Sequence, residues 1–294
     1  IKSNVRSRIY NMVAGKSLAT TAQDVIDAYV QRVSDEGGVI QNLSRVEDDI
    51  RFLHSEGLIG AMGVAVSSEY GLRVDGINIQ HAFSLDGLDM FPEVRVFAFG
   101  EGVELDTSGP IPFILSRSQA GGRYASLQTR ERLTAAAGYR GGVAIISAPD
   151  TPATSYAGLY GGIASGETIA TTQITRTSTG AASVISAHAG PQIITEARYG
   201  SDVSGFSGYC TVFDTQQMLN IGYRDGVKVE TPWSRTRLND QLLMGIPRVA
   251  SFPGAALSTP SASNMARGLL FWWFRDLTEA QAQRVSGYLG ERYA

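Results

Sequence analysis

Cysteine is nearly missing from this chain: Cys210 is the single thiol in 294 residues. No intrachain disulfide can form, so the fold does not rest on the staples that hold small secreted domains. The flanking run Gly208-Tyr209-Cys210-Thr211-Val212-Phe213 reads as a strand, which makes Cys210 a buried packing residue. Charge is scarce as well. Charged residues make up 18% of the chain and the formal net charge is -3, against roughly 25% charged in an average globular domain. No basic stripe is present, the densest spot being Arg235 with Arg237, so nucleic acid is not an expected partner. No apolar run approaches the roughly 18 residues of a spanning helix, so no membrane insertion is expected. Of the three histidines, His54, His81 and His188, none stands at metal-ligand spacing. Ile1 in place of Met is what N-terminal processing or an unrecorded initiator would leave.

Glycine and apolar residues are plentiful. Glycine contributes 33 residues and apolar residues 43%. Together with abundant Ser and Thr, that composition fits an all-β protein with many turns, or a surface partly covered by neighbours in an assembly. The length is enough for one large sandwich and a small appendage.

The first sixty residues read as helical. Thr21 followed by Asp24 predicts a capping box, and Val25, Ile26, Tyr29, Val30 and Val33 recur at helical spacing. Gly37-Gly38 ends that helix. Ser44-Arg45-Val46-Glu47 predicts a second cap, with Val46, Ile50 and Leu53 on one face and Gly57 as the stop. This αα-hairpin (1–60) is too small to hold a core alone, so it docks on the rest of the chain or on a partner. From residue 61 to 294 the pattern is that of short strands. Gly71–Ile79 alternates around Asp75-Gly76, and Glu93–Phe99 alternates cleanly. Further strands are predicted at Pro110–Leu115, Gly142–Ile146, Thr168–Thr175, Ser183–Ser186, Gln192–Glu196, Tyr209–Phe213, Met218–Tyr223 and Val227–Glu230. Asp225-Gly226 is a tight-hairpin signal. Leu242–Gly245 is predicted as a strand and Pro247–Asn264 as a long surface connection. Gly268–Trp273 (GLLFWW) reads as one buried strand.

The C-terminus carries the clearest local logic. Leu277 is placed to act as a hydrophobic staple, Thr278 as the cap, and Gln281 as the residue that reaches back to the cap nitrogen. Ala282, Val285 and Leu289 form an apolar stripe with Tyr288 on its flank. Trp272 and Trp273 point to opposite faces of their strand, one toward the sandwich core and one toward this helix.

Two stretches together resemble concanavalin A-like (laminin G-type) structural proteins of tailed bacteriophages. The first is Val25–Leu58, with Arg32-Val33, Gly37-Gly38, Leu53 and Gly57-Leu58; Ile59 stands where such proteins often have Trp. The second is Gln217–Ala294, with Asp225-Gly226 between two strands, then Gly268–Phe274 and Leu277-Thr278-Glu279-Ala280-Gln281. The resemblance implies a mainly β fold: a concanavalin A-like antiparallel β-sandwich (jelly roll) with a small N-terminal helical hairpin and a C-terminal helix.

Catalysis is not expected. Retaining glycosidases need two carboxylates about 5 Å apart, and the E-x-D-x-x-E strand of sandwich glucanases is missing. The nearest approaches are Glu104 with Asp106, which share a strand face, and Glu47-Asp48-Asp49, which falls on a helix. No G-x-S-x-G elbow is present, and Gly158–Gly166 lacks the lysine of a phosphate loop. No cofactor is expected. The resemblance leaves room for a structural calcium, with Asp86, Asp89, Asp202 and Asp214 as candidate ligands. For ligand contact, Trp233 beside Arg235, with Tyr156 and Tyr160, are the candidate aromatic and cationic residues. The resemblance implies a non-enzymatic structural or attachment component of a virion (head, neck or tail), in a homo-oligomer or symmetric assembly with other virion proteins. The alternative is a carbohydrate-binding receptor-recognition protein in contact with a cell-surface glycan, and a depolymerising glycoside hydrolase stands third.

Overall fold

The structure is a computed structural model. It describes residues 21–95, 102–117, 124–131, 140–147, 156–157, 172–175, 184–189, 192–198, 206–214, 219–229, 233–234, 248–249 and 265–293. Elements are numbered in chain order. Helix α1 (Ala22–Asp35) begins with the expected box, since the Thr21 side chain accepts from Asp24 N while the Asp24 carboxylate accepts from Thr21 N at 2.8 Å. Gly37, at φ +73, then turns the chain out. Helix α2 (Leu43–Ser55) is capped by Asn42, not at Ser44. The Asn42 carbonyl oxygen accepts from Arg45 N at 3.3 Å, and its amide donates to Glu69 Oε1 at 3.0 Å. An anchor from outside the helix decides the start, and Ser44 is drawn into the first turn.

Six strands form an antiparallel sheet in the order β16 (Val227–Val229), β15 (Leu219–Arg224), β14 (Ser207–Asp214), β9 (Arg140–Ser147), β20 (Leu270–Phe274), β2 (Met62–Ser67). The second sheet has ten strands. Its path runs β10 (Tyr156–Ala157), β19 (Met265–Gly268), β7 (Phe113–Arg117), β6 (Glu104–Asp106), β4 (Asn78–Ala82), β5 (Met90–Arg95), β8 (Tyr124–Thr129), β18 (Arg248–Val249). Off β4 it carries β3 (Gly71–Asp75) and then β1 (Val39–Ile40). Its pairings are antiparallel except that of β10 with β19. A four-stranded antiparallel sheet, β11 (Thr172–Thr175), β12 (Val184–Ala189), β13 (Gln192–Arg198) and β17 (Trp233–Ser234), completes the strands. This is the expected open, jelly-roll-like sandwich with N-terminal helices and a C-terminal helix, α3 (Glu279–Glu291).

The Asp225-Gly226 hairpin is present, with both residues at positive φ (48 and 78). Two expectations change. Gly268–Trp273 is not one strand: β19 ends at Gly268 in the ten-stranded sheet, and β20 starts at Leu270 in the six-stranded one. The chain makes the same switch between β2 and β3. The two switches are tied together, because the Leu269 carbonyl accepts from Ser67 Oγ at 2.8 Å and from Ser68 N at 2.9 Å. Such corners, where strands change sheets, close a sandwich. Pro247–Asn264 is not wholly a connection, since Arg248–Val249 pairs with Gln128 and Leu127 of β8; the rest of it and Leu242–Gly245 lie outside the described residues.

Alternation splits the six-stranded sheet into two buried faces. Val64, Val66, Val143, Ile145, Phe271 and Trp273 lie on the sandwich side. Ala144, Ile146, Cys210, Val212, Trp272 and Phe274 join one core cluster with Ile26, Tyr29 and Val33 of α1, Ile50 and Leu53 of α2, and Val285 and Leu289 of α3. Helix α3 seals the outside of that sheet across β14, β15 and β9, while α1 lies against α2 and against β1 and β3 of the ten-stranded sheet. Trp272 is the tryptophan on the helix side, its ring 6.4 Å from Tyr288 of α3. Leu277 is fully buried, and the Thr278–Gln281 box closes from both sides.

Candidate functional site

The ten-stranded sheet, unlike its partner, presents polar and planar groups along its β4–β5–β8 portion. The cause is local. The register of β3 with β4 skips Gln80 between Ile79 and His81. At this bulge Ile79, His81 and Ala82 are all buried and Gln80 alone is exposed. His81 then meets aromatic rings on both of its own faces. Its ring centroid lies 3.8 Å from that of Phe83 and 4.4 Å from that of Phe91, and two rings that close cannot share one face. The Arg130 guanidinium lies 3.7 Å over the Phe91 centroid, so Phe91 is enclosed in the same way. The result is a column of four flat groups, Phe83, His81, Phe91 and Arg130, ending at an exposed cation.

Hydrogen bonds fix the column's inner end. His81 Nε2 is 2.9 Å from Asp89 Oδ2. An ionised carboxylate only accepts, so Nε2 carries the proton. Asp89 also accepts from Arg32 of α1 at 2.9 Å and from Ser84 N at 2.8 Å. Burial alone would raise the Asp89 carboxyl; the His81 hydrogen bond and the Arg32 charge outweigh it and hold the group below the usual carboxylate range. The outer end is open. Arg130 has no ion pair among the described residues. Gln128, opposite Phe91 across the β5–β8 ladder, shares its face. The Gln128 side-chain oxygen is buried without a hydrogen-bond partner among the described residues. An exposed flat cation can hold a polar ligand rich in hydroxyl or carboxylate groups.

A second cluster is chemically closed. Asp49, read on sequence only as part of the Glu47-Asp48-Asp49 run on a helix, is fully buried. It takes both oxygens' worth of donors from Arg292, and hydrogen bonds from Tyr70 at 2.6 Å and Tyr288 at 2.7 Å. Arg292 also reaches Glu69 at 2.9 Å, and Glu69 accepts from Tyr293. Trp272 donates to Tyr70 OH at 3.1 Å. Burial pushes the Asp49 carboxyl and the Tyr70 and Tyr288 hydroxyls up. Every donor here has an acceptor, so the cluster fastens elements together.

The residues singled out on sequence fall elsewhere. Trp233 opens β17 at the edge of the four-stranded sheet, opposite Glu196 of β13. Tyr156 opens β10 at an end of the ten-stranded sheet, opposite Ala266. Strand pairing does not bring these two together, and Arg235 and Tyr160 lie outside the described residues. Glu104 and Asp106 flank buried Leu105 on one face, but Asp106 Oδ1 accepts from Ser108 N at 3.0 Å and Ser108 Oγ at 2.6 Å and belongs to a turn. Of the calcium candidates, Asp86 accepts from Gly60 N and, at 2.9 Å, from Gly87 N, and in Asp89 the Arg32 guanidinium occupies the place of a cation. Asp214 closes β14, and Asp202 lies outside the described residues. No group of three metal-type ligands converges among the described residues. Cys210 is buried, as expected, and burial pushes its thiol up. His54 sits in the last turn of α2, where a cation is favoured, and His188 stands at a register shift in β12. The Phe91–Gln128–Arg130 set had one faint sequence signal, the alternation of Glu93–Phe99, and that run begins just past Phe91.

No family model and no curated protein matches the chain. Solved structures do. The binding domain of botulinum neurotoxin serotype D/C is 12% identical, with 79% of this chain and 53% of that one covered and a TM-score of 0.47. Trypanosoma rangeli sialidase is 10% identical, with 83% and 38% covered and a TM-score of 0.47. Domain 4 of an extracellular arabinanase from Geobacillus stearothermophilus, in complex with arabinotriose, is 10% identical, with 76% and 98% covered and a TM-score of 0.44. The chain spans about half the length of the first of these. Identities this low speak to fold alone, and TM-scores below 0.5 leave that to the sheet topology itself: an open, jelly-roll-like β-sandwich with N-terminal helices and a C-terminal helix.

Proposed function

We propose that the chain is a non-catalytic carbohydrate-binding module that recognises a glycan on the outer side of its ten-stranded sheet. One observation carries this reading: the β4–β5–β8 portion of the ten-stranded sheet ends in the set Phe91 and Arg130, whose exposed guanidinium stands 3.7 Å over the ring. Sugar recognition takes a flat group for the ring and donors for the hydroxyls, and an exposed guanidinium is both. Neither carboxylate of the Glu104–Asp106 pair lies in that set, and the recognition chemistry there has no need of bond cleavage. The wider setting proposed for it, an attachment protein of a tailed-phage virion working in a symmetric assembly, is supported by the sequence resemblance at Val25–Leu58 and Gln217–Ala294.

Screening the purified chain against an array of immobilised oligosaccharides tests the reading. Saturable retention of a defined subset is expected, with the bound glycans recovered uncut. No retention on any glycan, or cleavage of a retained one, overturns it. Detection of the chain in purified phage particles would support the virion setting, and its absence from particles would remove it.

A further inference from the structure

We propose that His81 is a proton-dependent clasp between the end of α1 and the ten-stranded sheet: neutral, it holds Asp89 alone, and protonated, it also holds Glu36 through Nδ1. Its working needs no ligand. His81 faces two carboxylates from two different parts of the chain. Nε2 is 2.9 Å from Asp89 Oδ2, and Nδ1 is 4.0 Å from Glu36 Oε2. Nε2 carries the proton of the neutral ring, so Nδ1 then offers only a lone pair. A lone pair facing a carboxylate makes no hydrogen bond. A proton on Nδ1 reverses this. The two groups become a donor and an acceptor of opposite charge, and a closing movement of about 1 Å brings them to bonding distance. Glu36 is placed to make that movement. It is the C-cap of α1, its side chain is 40% exposed, and Gly37 follows it at φ +73.

The surroundings accept the charge. His81 is buried, and a buried charge is tolerated only where it is paired. The imidazolium has Asp89 at one nitrogen, Glu36 at the other, and the Phe83 and Phe91 rings over its faces. Cations stand around it as well. Arg32 of α1 spends its charge on Asp89. Arg73 lies opposite His81 on β3 and donates to the Glu36 carbonyl at 3.4 Å. Arg130, just past β8, lies over Phe91. Gln80, the exposed neighbour on β4, adds no charge. Histidine is the side chain whose charge ordinarily changes between pH 5 and pH 8, so the clasp closes on mild acidification. What it fastens is the turn from α1 into β1, the strand that pairs with β3.

The test follows the His81 ring of the whole chain by NMR from pH 8 to pH 5, the ring being recognised by its contacts with Phe83 and Phe91. Exchange of the Gly38 amide, which donates to the Val33 carbonyl at 2.8 Å in that turn, is measured against an unstructured peptide at each pH. A proton is expected on Nδ1, with Gly38 protected about three-fold or more at pH 5 relative to pH 8. Glu36→Gln keeps the shape of a partly exposed side chain and so keeps the fold. It should move proton uptake to lower pH and abolish the gain in protection. Asp27→Asn, on the exposed face of the same helix, should do neither, which separates the close pair from the general field of the α1 acids. Any of three results overturns the clasp: no proton on Nδ1 in this range, equal movement of uptake in Glu36→Gln and Asp27→Asn, or Gly38 protection that stays constant with pH.

Discussion

Asp89 gathers donors from three places: Arg32 on α1, His81 on β4, and the Ser84 backbone. Its partner on α1 is 57 residues away in sequence, which is why nothing in the local run Asp86-Gly87-Leu88-Asp89 distinguished a structural carboxylate from a calcium ligand. The same holds for Asp49, whose partner Arg292 is 243 residues away. Short-range pattern carries no trace of such pairs. The sign of the pH effect at Asp89 follows from its depressed titration. A carboxylate that titrates lower in the folded chain than in the unfolded one stabilises the fold above its unfolded value, and that contribution is lost as pH falls through the folded value. Chemical denaturation between pH 7 and pH 2 should therefore show stability declining below about pH 4. Asp89→Asn should cost roughly 1.5–3 kcal/mol at neutral pH, the worth of hydrogen bonds to a charged acceptor, and should shrink the acid decline. An acid limb of undiminished depth in that variant would assign the decline to other groups.

Helix α3 shows what a sequence can and cannot specify at the level of an element. Its start was legible because every part of the signal lies within five residues: the Leu277 staple, the Thr278 cap and the Gln281 return. The box at Thr21 was legible for the same reason, while the start of α2 was not, because Asn42 is held by Glu69 from across the fold. Where α3 docks was also beyond the local pattern. It crosses β14 so closely at Gly208 that a Cβ there would stand 2.4 Å from Gly290 N and 2.6 Å from Ser286 O. Both are backbone atoms and cannot swing aside, so Gly208→Ala should force the helix off the sheet. Thr278→Ala removes one cap and should cost about 1 kcal/mol. Leu277→Ala empties a fully buried site and should cost about 2–5 kcal/mol. Thermal melts rank the three. A Gly208→Ala protein as stable as Thr278→Ala would mean that the helix can shift at little cost.

At the scale of the whole molecule, Arg292 closes the structure. Through Asp49 it holds α2, through Glu69 the corner between β2 and β3, and through the shared hydrogen bonds of Tyr70 with Trp272 it is linked to β20. The Arg292 carbonyl returns the contact by accepting from Arg45 at 2.6 Å. The hairpin at residues 22–55 thus shares both an apolar core and a polar lock with the sandwich, though its sequence pattern reads as a separate appendage. Separateness was inferred from size, since a hairpin that short lacks a core of its own; the sequence could not say that the core it borrows includes the last turn of the chain. Arg292→Met would strand the Asp49 and Glu69 carboxylates in a water-free interior. Removing one partner of a buried pair costs about 3–5 kcal/mol, so the variant should lose that much in denaturant unfolding, and Arg292→Lys, which keeps a charge but not the fork, should lose less. Hydrogen exchange places the loss in the fold. The amides of α2 and α3 should exchange through one shared opening in the unmodified chain, because a lock joining the two cannot open at one alone. In Arg292→Met that shared opening should become more frequent for both helices together. Faster exchange confined to α3, with α2 unchanged, would show that the hairpin holds by its apolar contacts alone and that Arg292 secures only the chain's own end.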